Sequence, residues 1–290
     1  MNGFAERRWT SRDGLTLFAR DYAAASGPPR LPVICLHGLT RNSKDFEDLA
    51  PFLANGGRRV LVPDVRGRGM SDNDPNSRNY APPVYARDVL RLMDLLGIAR
   101  AVFVGTSMGG IITMILAGIA RKRIAAAVLN DVGPEVAPEG LERIKSYAGK
   151  PVSIRDWDEA VAYVRRINAV GFPAFSDEDW RRLARRTFRE QADGTPALDY
   201  DPAIAAPLAA GNIKAGSLLA WLLFRRLARA RPTLVIRGGN SDILSSKTAT
   251  KMQARAPRTV LVEVPGVGHA PTLDEPEARN AIEQFLESVP

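Results

Sequence analysis

A serine at position 107 stands in a context that suits a nucleophile. Residues 105–109 read Gly-Thr-Ser-Met-Gly, which is a G-x-S-x-G motif. The apolar segment 101–104 before it is typical of a strand, and the apolar segment 110–115 after it is typical of a helix. A tight turn between a strand and a helix exposes the hydroxyl and places it at a helix N-terminus, where developing negative charge is favoured. We therefore predict that Ser107 is a nucleophile.

A serine hydroxyl needs an adjacent base to remove its proton. The chain has two histidines, His37 and His269. His37 directly follows an apolar segment and precedes a glycine, a position that suits the shaping of a loop. His269 lies in a loop just after the last predicted strand, at the edge of the sheet where Ser107 is expected. We predict that His269 is the general base.

A carboxylate should hold the imidazole in the required tautomer. Two aspartates follow predicted strands at that same edge. Asp242 lies between Ser107 and His269 in the chain, which is the order Ser, acid, His. Asp131 also follows a strand, although it could instead cap the entry to the next segment. Asp242 is the preferred acid, and Asp131 is the alternative.

The oxyanion that forms during acyl transfer requires N–H donors. The backbone N–H of Met108, directly after the nucleophile, is one candidate. The second should come from the loop after the strand at 33–36, where the N–H of Leu39 is the best placed. Met108 and Leu39 are therefore also expected to contact the substrate.

Short apolar segments alternate with helical patterns, as in a parallel sheet covered by helices. Residues 7–22 read as two strands around a turn at 13–14. Six further strands are predicted at 33–36, 60–62, 101–104, 125–129, 234–236 and 260–264. Helices are predicted at 46–53, 84–96, 107–120 and 276–286. The sequence thus predicts an α/β fold with a mostly parallel, eight-stranded sheet.

The alternation stops between residues 133 and 231, where the chain becomes helical and rich in arginine. A segment of this length exceeds what one crossover between strands needs. We predict a helical cap (lid) over 133–231, inserted into a core made of residues 1–132 and 232–290. Trp221 lies in the apolar run 221–224, which could line an acyl pocket or form the interior of the cap. Trp221 is accordingly a candidate substrate contact.

The composition of the 290 residues is that of an ordinary globular protein. The net charge is +8, but acidic residues are interspersed with the basic ones, so nucleic acid is not an expected partner. No apolar run approaches the roughly 18 residues of a membrane span, and the first residues lack an apolar signal segment. A cytoplasmic monomer or homodimer is predicted. The single cysteine, Cys35, lies in an apolar segment and reads as a core residue.

These motifs together resemble the α/β-hydrolase superfamily, and within it the lidded esterases and enol-lactonases. The matching parts are the His37 loop, residues 64–72, the Ser107 turn, the Asp242 turn and the His269 turn, in the family's order. The resemblance implies that residues 64–72 form a structural loop beside the site, with Arg66 organising it. Relatives with aspartate at the nucleophile position use another route, which Ser107 excludes.

The resemblance implies a carboxylic ester hydrolase that works through an acyl-enzyme, without a cofactor or metal. Its substrate is expected to be a small ester with an apolar acyl or aryl group. Lactone hydrolysis, carbon–carbon bond hydrolysis and perhydrolysis on the same site stay open as alternatives. A receptor that binds a ligand without turnover is a further alternative.

Overall fold

The computed structural model describes residues 3–209 and 216–290. The strands are β1 (Phe4–Thr10), β2 (Thr16–Tyr22), β3 (Val33–Leu36), β4 (Val60–Asp64), β5 (Ala101–Thr106), β6 (Ile124–Asn130), β7 (Phe188–Glu190), β8 (Pro196–Leu198), β9 (Thr233–Gly238) and β10 (Thr259–Val264). The helices are α1 (Leu49–Asn55), α2 (Pro82–Leu95), α3 (Met108–Ile119), α4 (Pro138–Tyr147), α5 (Trp157–Asn168), α6 (Asp177–Thr187), α7 (Ala206–Ala209), α8 (Leu218–Ala228), α9 (Ser246–Arg255) and α10 (Pro276–Glu287). None of the helices in these two ranges has the length and apolar character to cross a membrane.

The main sheet has eight strands in the order β1-β2-β4-β3-β5-β6-β9-β10. β1 and β2 pair antiparallel with each other, and β2 pairs antiparallel with β4. The other pairs are parallel. The prediction of a mostly parallel, eight-stranded sheet flanked by helices is confirmed, and each of the six segments predicted after residue 22 lies within an observed strand.

Alternate residues along the central strands enter different apolar cores, because successive side chains of a strand point to opposite faces. Ile34 and Leu36 of β3 belong to the core on one face, and Val33 and Cys35 to the core on the other. Cys35 is completely buried, and burial raises the pKa of its thiol, as suits a core residue. With both faces of β3 covered, reactive side chains are left to the loops at the carboxyl edge of the parallel strands.

Residues between β6 and α8 lie outside this sheet. Helices α5 and α6 share a small apolar core of their own, which includes Tyr163, Trp180 and Phe188. The sequence predicted only helices here, but β7 and β8 form an antiparallel hairpin. The division of the chain into a core and a cap that behaves as a separate unit stays a prediction.

The end of the predicted cap packs with the core. Trp221 and Phe224 of α8 lie in the same buried cluster as the central strands. Arg226 of α8 also donates a hydrogen bond from Nε to the carbonyl of Ala117 in α3, at 3.0 Å. Helix α8 therefore covers a face of the sheet beside α3 and does not lie over the carboxyl edge. The boundary at residue 231 stays a prediction, and α8, the last helix before it, is packed with the core.

Candidate active site

Ser107 occupies a sharp turn between β5 and α3. Its backbone is at φ 51° and ψ −113°, a conformation that non-glycine residues rarely adopt. The flanking glycines permit the close packing of this turn. A Cβ on Gly105 would lie 2.5 Å from the carbonyl carbon of Gly109, and a Cβ on Gly109 would lie 2.0 Å from the carbonyl oxygen of Leu36. The G-x-S-x-G spacing thus reflects a backbone approach that side chains at either end would block.

His269 lies in the loop between β10 and α10. Its Nε2 is 2.9 Å from Ser107 Oγ, so the hydroxyl can donate its proton to the ring. The imidazole is largely buried, with 9% of the side chain exposed. The structure therefore brings together the serine and the histidine that the sequence predicted as a pair.

The carboxylate that contacts this imidazole belongs to Asp131, directly after β6. Asp131 Oδ2 lies 2.8 Å from Nδ1 of His269, and the aspartate side chain is completely buried. The same oxygen accepts a hydrogen bond from Ser241 Oγ at 2.6 Å, and Oδ1 accepts one from the Gly238 N–H at 3.0 Å. These donors fix the carboxylate, so that Nδ1 carries the ring proton and Nε2 is free to accept one. The preference for Asp242 over Asp131 was wrong.

The carboxylate of Asp242 forms an ion pair with an arginine. Arg143 of helix α4 donates to both of its carboxylate oxygens, at 2.5 and 2.8 Å. Burial raises the pKa of Asp242, but the hydrogen bonds from Arg143 outweigh it and hold the pKa below its ordinary value. Asp242 therefore connects a helix of the predicted cap to the loop after β9.

Asn130 contributes to the site but was not predicted as a site residue from the sequence. Its Nδ2 donates to Thr106 Oγ1 at 3.0 Å and to the carbonyl of Pro271 at 2.8 Å. The backbone carbonyl of Asn130 accepts a hydrogen bond from the backbone N–H of Ser107 at 2.9 Å. Asn130 thus ties the turn that carries Ser107 to the loop that carries His269. A polar residue at the end of a buried strand, next to an aspartate, was the available signal.

The loop after β3 lies alongside the serine. A Cβ on Gly38 would lie 3.8 Å from Ser107 Cβ, and Leu39 and Met108 line the same cavity as Ser107. Among the described residues, no protein acceptor takes the backbone N–H of Leu39 or of Met108. Two N–H donors beside the hydroxyl are the chemistry that an oxyanion requires.

His37 has a structural position. Its Nε2 accepts a hydrogen bond from the Val65 N–H at 3.0 Å, and its Nδ1–H donates to the carbonyl of Gly38 at 2.8 Å. Burial lowers the pKa of His37 to about 4, so the ring is neutral near pH 7. A neutral ring with both nitrogens paired cannot exchange protons with a substrate, but it fixes the loop that presents Leu39.

A cavity of about 710 Å³ opens beside Ser107. Its walls are mainly apolar and come from the sheet side and from the predicted cap. From the sheet side they include Tyr85, Met108, Ile111, Val132 and Ile243, and from the cap Val136, Leu141, Ile144 and Ile204. Such a cavity can hold an apolar chain attached to a carbonyl at Ser107.

A second, smaller cavity of about 130 Å³ lies on the His269 side of the serine. It carries more polar groups, among them Arg41, Asn168 and Thr187. Arg41 also donates to the Asp45 carboxylate from Nε at 3.0 Å, so its charge is already paired. The hydroxyl of Ser107 therefore lies between a large apolar space and a smaller one with more polar groups in its walls.

Trp221 contacts neither cavity. Its indole N–H donates to Glu135 Oε1 at 2.7 Å, and Lys251 and Arg255 lie over its ring, 4.7 and 4.1 Å from the centroid. The residue is 5% exposed and belongs to the main core. Trp221 as a substrate contact was wrong, because the helix that carries it packs on α3 and not over the strand ends.

Arg66 lies in the loop after β4, and the family resemblance implied an organising role for it. The arginine is 1% exposed and forms ion pairs with three carboxylates, those of Asp13, Asp74 and Asp88, at 2.6 to 2.7 Å. These partners come from the β1–β2 turn, the loop itself and helix α2. Arg66 therefore joins three segments and does not line either cavity beside Ser107.

Comparisons with known proteins agree with this architecture. The model of the α/β-hydrolase fold family matches residues 32–276. The 3-hydroxybutyrate-oligomer hydrolase of Cupriavidus necator is 38% identical over 269 residues, which is 90% of each chain, and the esterase YbfF of Escherichia coli is 27% identical over 88% of this chain and 92% of its own. The crystal structure of an α/β hydrolase from Novosphingobium aromaticivorans shares 47% identity and superposes with a TM-score of 0.92, covering 99% of both chains. With this match over most of its length, the chain belongs to the α/β-hydrolase family.

Proposed function

We propose that this protein is a serine hydrolase that cleaves carboxylic esters through an acyl-enzyme. The observation that carries the proposal is the continuous hydrogen-bonded path from Ser107 Oγ to His269 Nε2, at 2.9 Å, and from His269 Nδ1 to Asp131, at 2.8 Å. A hydroxyl, an imidazole and a buried carboxylate in this relation are the components of nucleophilic acyl transfer. The hydrolase and esterase names of the relatives support the same reaction class.

The first half of the reaction forms the acyl-enzyme. Ser107 Oγ attacks the ester carbonyl carbon while its proton passes to His269 Nε2, and the carbonyl electrons move onto the oxygen. The N–H groups of Leu39 and Met108 stabilise that oxyanion. When the carbonyl re-forms, the bond to the leaving alcohol breaks, and the alcohol takes the proton from His269.

The second half repeats these steps with water. His269 takes a proton from the water as it attacks the acyl carbon, and Ser107 leaves with that proton. Asp131 accepts the hydrogen bond from Nδ1 in both halves and stabilises the imidazolium. Asp131 is suited to this role because its two oxygens accept hydrogen bonds from Ser241 and Gly238 as well as from the ring.

The two cavities assign the two halves of the ester. Since His269 must deliver its proton to the leaving oxygen, the alcohol belongs on the His269 side, where the space is smaller and has more polar groups in its walls. The acyl group then extends into the apolar space of about 710 Å³. An ester with an apolar acyl chain and a compact alcohol fits this division.

Labelling with a fluorophosphonate probe tests the nucleophile without assuming a substrate. We expect a single modified peptide containing Ser107, and no labelling of the Ser107→Ala protein. In stopped-flow measurements with p-nitrophenyl acetate, wild type should release a burst of p-nitrophenol equal to the number of active sites. Labelling of a serine outside residues 105–109 would refute the proposal.

A substrate panel separates ester cleavage from the other reactions of this site. Simple esters, enol-lactones and dienoates are compared by kcat/KM on the same preparation. Turnover of esters well above their spontaneous hydrolysis is the expected result. If Ser107 is labelled but only lactones or dienoates are turned over, the assignment of the nucleophile stands and the assignment of an ester as the substrate is wrong.

A further inference from the structure

Arg68 is a buried arginine in contact with both residues that carry the candidate oxyanion donors. It is 1% exposed. Its Nε donates to the carbonyl of Leu39 at 2.9 Å, and its Nη2 lies 3.7 Å from the sulfur of Met108. It lies in the 64–72 loop and is not one of the residues that line the cavity shared by Leu39 and Met108.

The charge of Arg68 has no ionic partner among the described residues, since no carboxylate oxygen there lies within 4.0 Å of its nitrogens. Its other contacts are neutral. Nη1 donates to the carbonyl of Arg66 at 2.8 Å and to Tyr85 Oη at 3.0 Å, and the guanidinium lies over the rings of Tyr80 and Tyr85. Arg66, two residues away, has three carboxylate partners.

A buried cation without a counterion costs stability, because it has lost its hydration and gained no opposite charge. It becomes favourable only when a negative charge arises nearby. The field of Arg68 reaches this loop, because it adds to burial in lowering the pKa of His37, the residue that fixes the Leu39 turn. A charge held in this way is preorganised for a transient anion.

We propose that Arg68 is an electrostatic positioning residue of the oxyanion hole. This inference rests on the proposed serine hydrolase function. As the bond from Ser107 Oγ to the carbonyl carbon forms, one carbonyl electron pair moves onto the oxygen, which becomes negative between the N–H groups of Leu39 and Met108. The positive charge of Arg68 stabilises that anion but interacts weakly with the neutral ester. It therefore acts on the transition state more than on substrate binding.

The test compares an anionic adduct with a neutral ligand of the same shape. A hexyl trifluoromethyl ketone forms an anionic hemiketal on an active-site serine, whereas the matching methyl ketone binds as a neutral carbonyl. The readout is the ratio of their inhibition constants, measured for wild type, Arg68→Gln, Arg68→Met and Arg68→Lys. A merely structural role would weaken both ligands together and leave the ratio unchanged.

We expect the preference for the trifluoromethyl ketone to fall by about 10- to 100-fold in the two neutral variants, similar to the loss of one oxyanion donor or somewhat less. The lysine variant keeps a positive charge, so its ratio should stay within about threefold of wild type. In the neutral variants kcat for an ester should fall with little change in KM.

Arg58 supplies the matched control. It is also buried, and donates to the backbone oxygens of Leu31, Leu286 and Pro290 at 3.0, 2.8 and 3.2 Å. No aspartate or glutamate side chain lies within ion-pair distance of it among the described residues. It precedes β4, at the amino edge of the sheet, away from Ser107. Arg58→Gln should lower the melting temperature and leave the ratio of inhibition constants unchanged.

An unchanged ratio in folded Arg68→Gln and Arg68→Met would overturn the proposal, and so would an equal loss in Arg68→Lys. If circular dichroism shows that neither neutral variant folds, the lysine variant is the test. A ratio of inhibition constants near that of wild type supports a role for the positive charge, and a ratio that falls by about 10-fold or more refutes it. Fluorine NMR of the bound trifluoromethyl ketone distinguishes a failure of the Arg68 proposal from a failure of the proposed function. If wild type forms no hemiketal that Ser107→Ala abolishes, the serine hydrolase proposal itself has failed.

Discussion

The imidazole of His269 contacts Asp131 at 2.8 Å, while Asp242, four residues beyond β9, forms two hydrogen bonds with Arg143. This arrangement predicts a large loss of activity for one conservative substitution and a small change for another. Asp131→Asn replaces the acceptor of the Nδ1 proton with an amide, which favours the wrong tautomer of His269. We expect kcat to fall by about 10⁴-fold, as for other triads that lose the carboxylate. The rate of acylation in stopped-flow measurements gives the value.

Asp242→Asn is the matched control, since it makes the same replacement of a carboxylate by an amide at a second aspartate on the same edge of the sheet. It weakens the contact with Arg143 but leaves the imidazole in place. We expect the acylation rate to stay within about tenfold of wild type, because one partly exposed ion pair is worth about 1 kcal/mol or less. A loss in Asp242→Asn as large as that in Asp131→Asn would mean that the contacts of His269 differ in solution.

The sequence predicted the serine and the histidine of this site but chose the wrong aspartate, for a physical reason. Ser107 is specified locally, because its turn needs glycines at fixed positions between a strand and a helix. His269 could be predicted by elimination, because the only other histidine in the sequence, His37, directly follows a buried strand. Asp131 and Asp242 follow the adjacent strands β6 and β9, so both reach the same edge. They differ in their partners, because Arg143 pairs with Asp242. Arg143 lies 99 residues earlier in the sequence, and a contact between residues so far apart in the chain leaves no local sequence pattern.

The strands were predicted better than the segment between residues 133 and 231. A strand buried on both faces is an apolar run with sharp ends, and such runs can be read directly. The helices of the cap expose much of their surface and bury little, so their partners depend on the whole fold. Trp221 shows this, because its apolar run suggested a pocket while its indole N–H pairs with Glu135 and its helix packs on α3.

The large cavity predicts a preference for longer acyl chains. Ile111 on α3 lines this cavity, and Ile111→Trp should fill part of the space. We expect kcat/KM for p-nitrophenyl octanoate to fall by about 10- to 100-fold, because a blocked apolar pocket loses the binding of several methylene groups. Turnover of p-nitrophenyl acetate should change by less than about threefold, since an acetyl group buries far less apolar surface in this cavity than an octanoyl chain does.

Ile119→Trp is the control on the same helix, because Ile119 is 57% exposed and does not line the cavity. It should leave the ratio of octanoate to acetate activity at the wild-type value. If Ile111→Trp lowers both activities equally, the acyl chain does not occupy this cavity.

The ion pairs of Arg66 predict a large effect on stability. Arg66→Met removes the partner of the buried carboxylates of Asp74 and Asp88 and of the more exposed one of Asp13. Breaking a buried ion-pair network in this way costs about 3–5 kcal/mol, because the remaining charges stay desolvated. We expect that loss in the free energy of unfolding, measured by urea denaturation. Arg123→Met breaks an exposed pair with Asp94, at 2.6 Å, and should cost less than about 1 kcal/mol.

His37 predicts a dependence of stability on pH. Its folded pKa is about 4, below the 6.5 of an unfolded histidine, because burial disfavours the charged ring. Between these values the unfolded chain binds a proton that the folded chain does not. The stability that depends on neutral His37 is therefore complete above pH 6.5 and is lost as the pH falls towards 4. The loss amounts to about 3 kcal/mol at most.

Asp64 opposes this change in the wild-type protein, so the effect of His37 must be isolated with a variant. Burial raises the pKa of Asp64 to about 6, and its folded form therefore loses stability as the pH rises from 3.8 to 6. Because His37→Gln keeps Asp64, the difference in unfolding free energy between wild type and this variant cancels the aspartate. That difference should favour wild type at pH 7 and shrink by up to about 3 kcal/mol at pH 4. A difference that stays constant from pH 7 to pH 4 would show that the His37 ring is not held neutral by its burial.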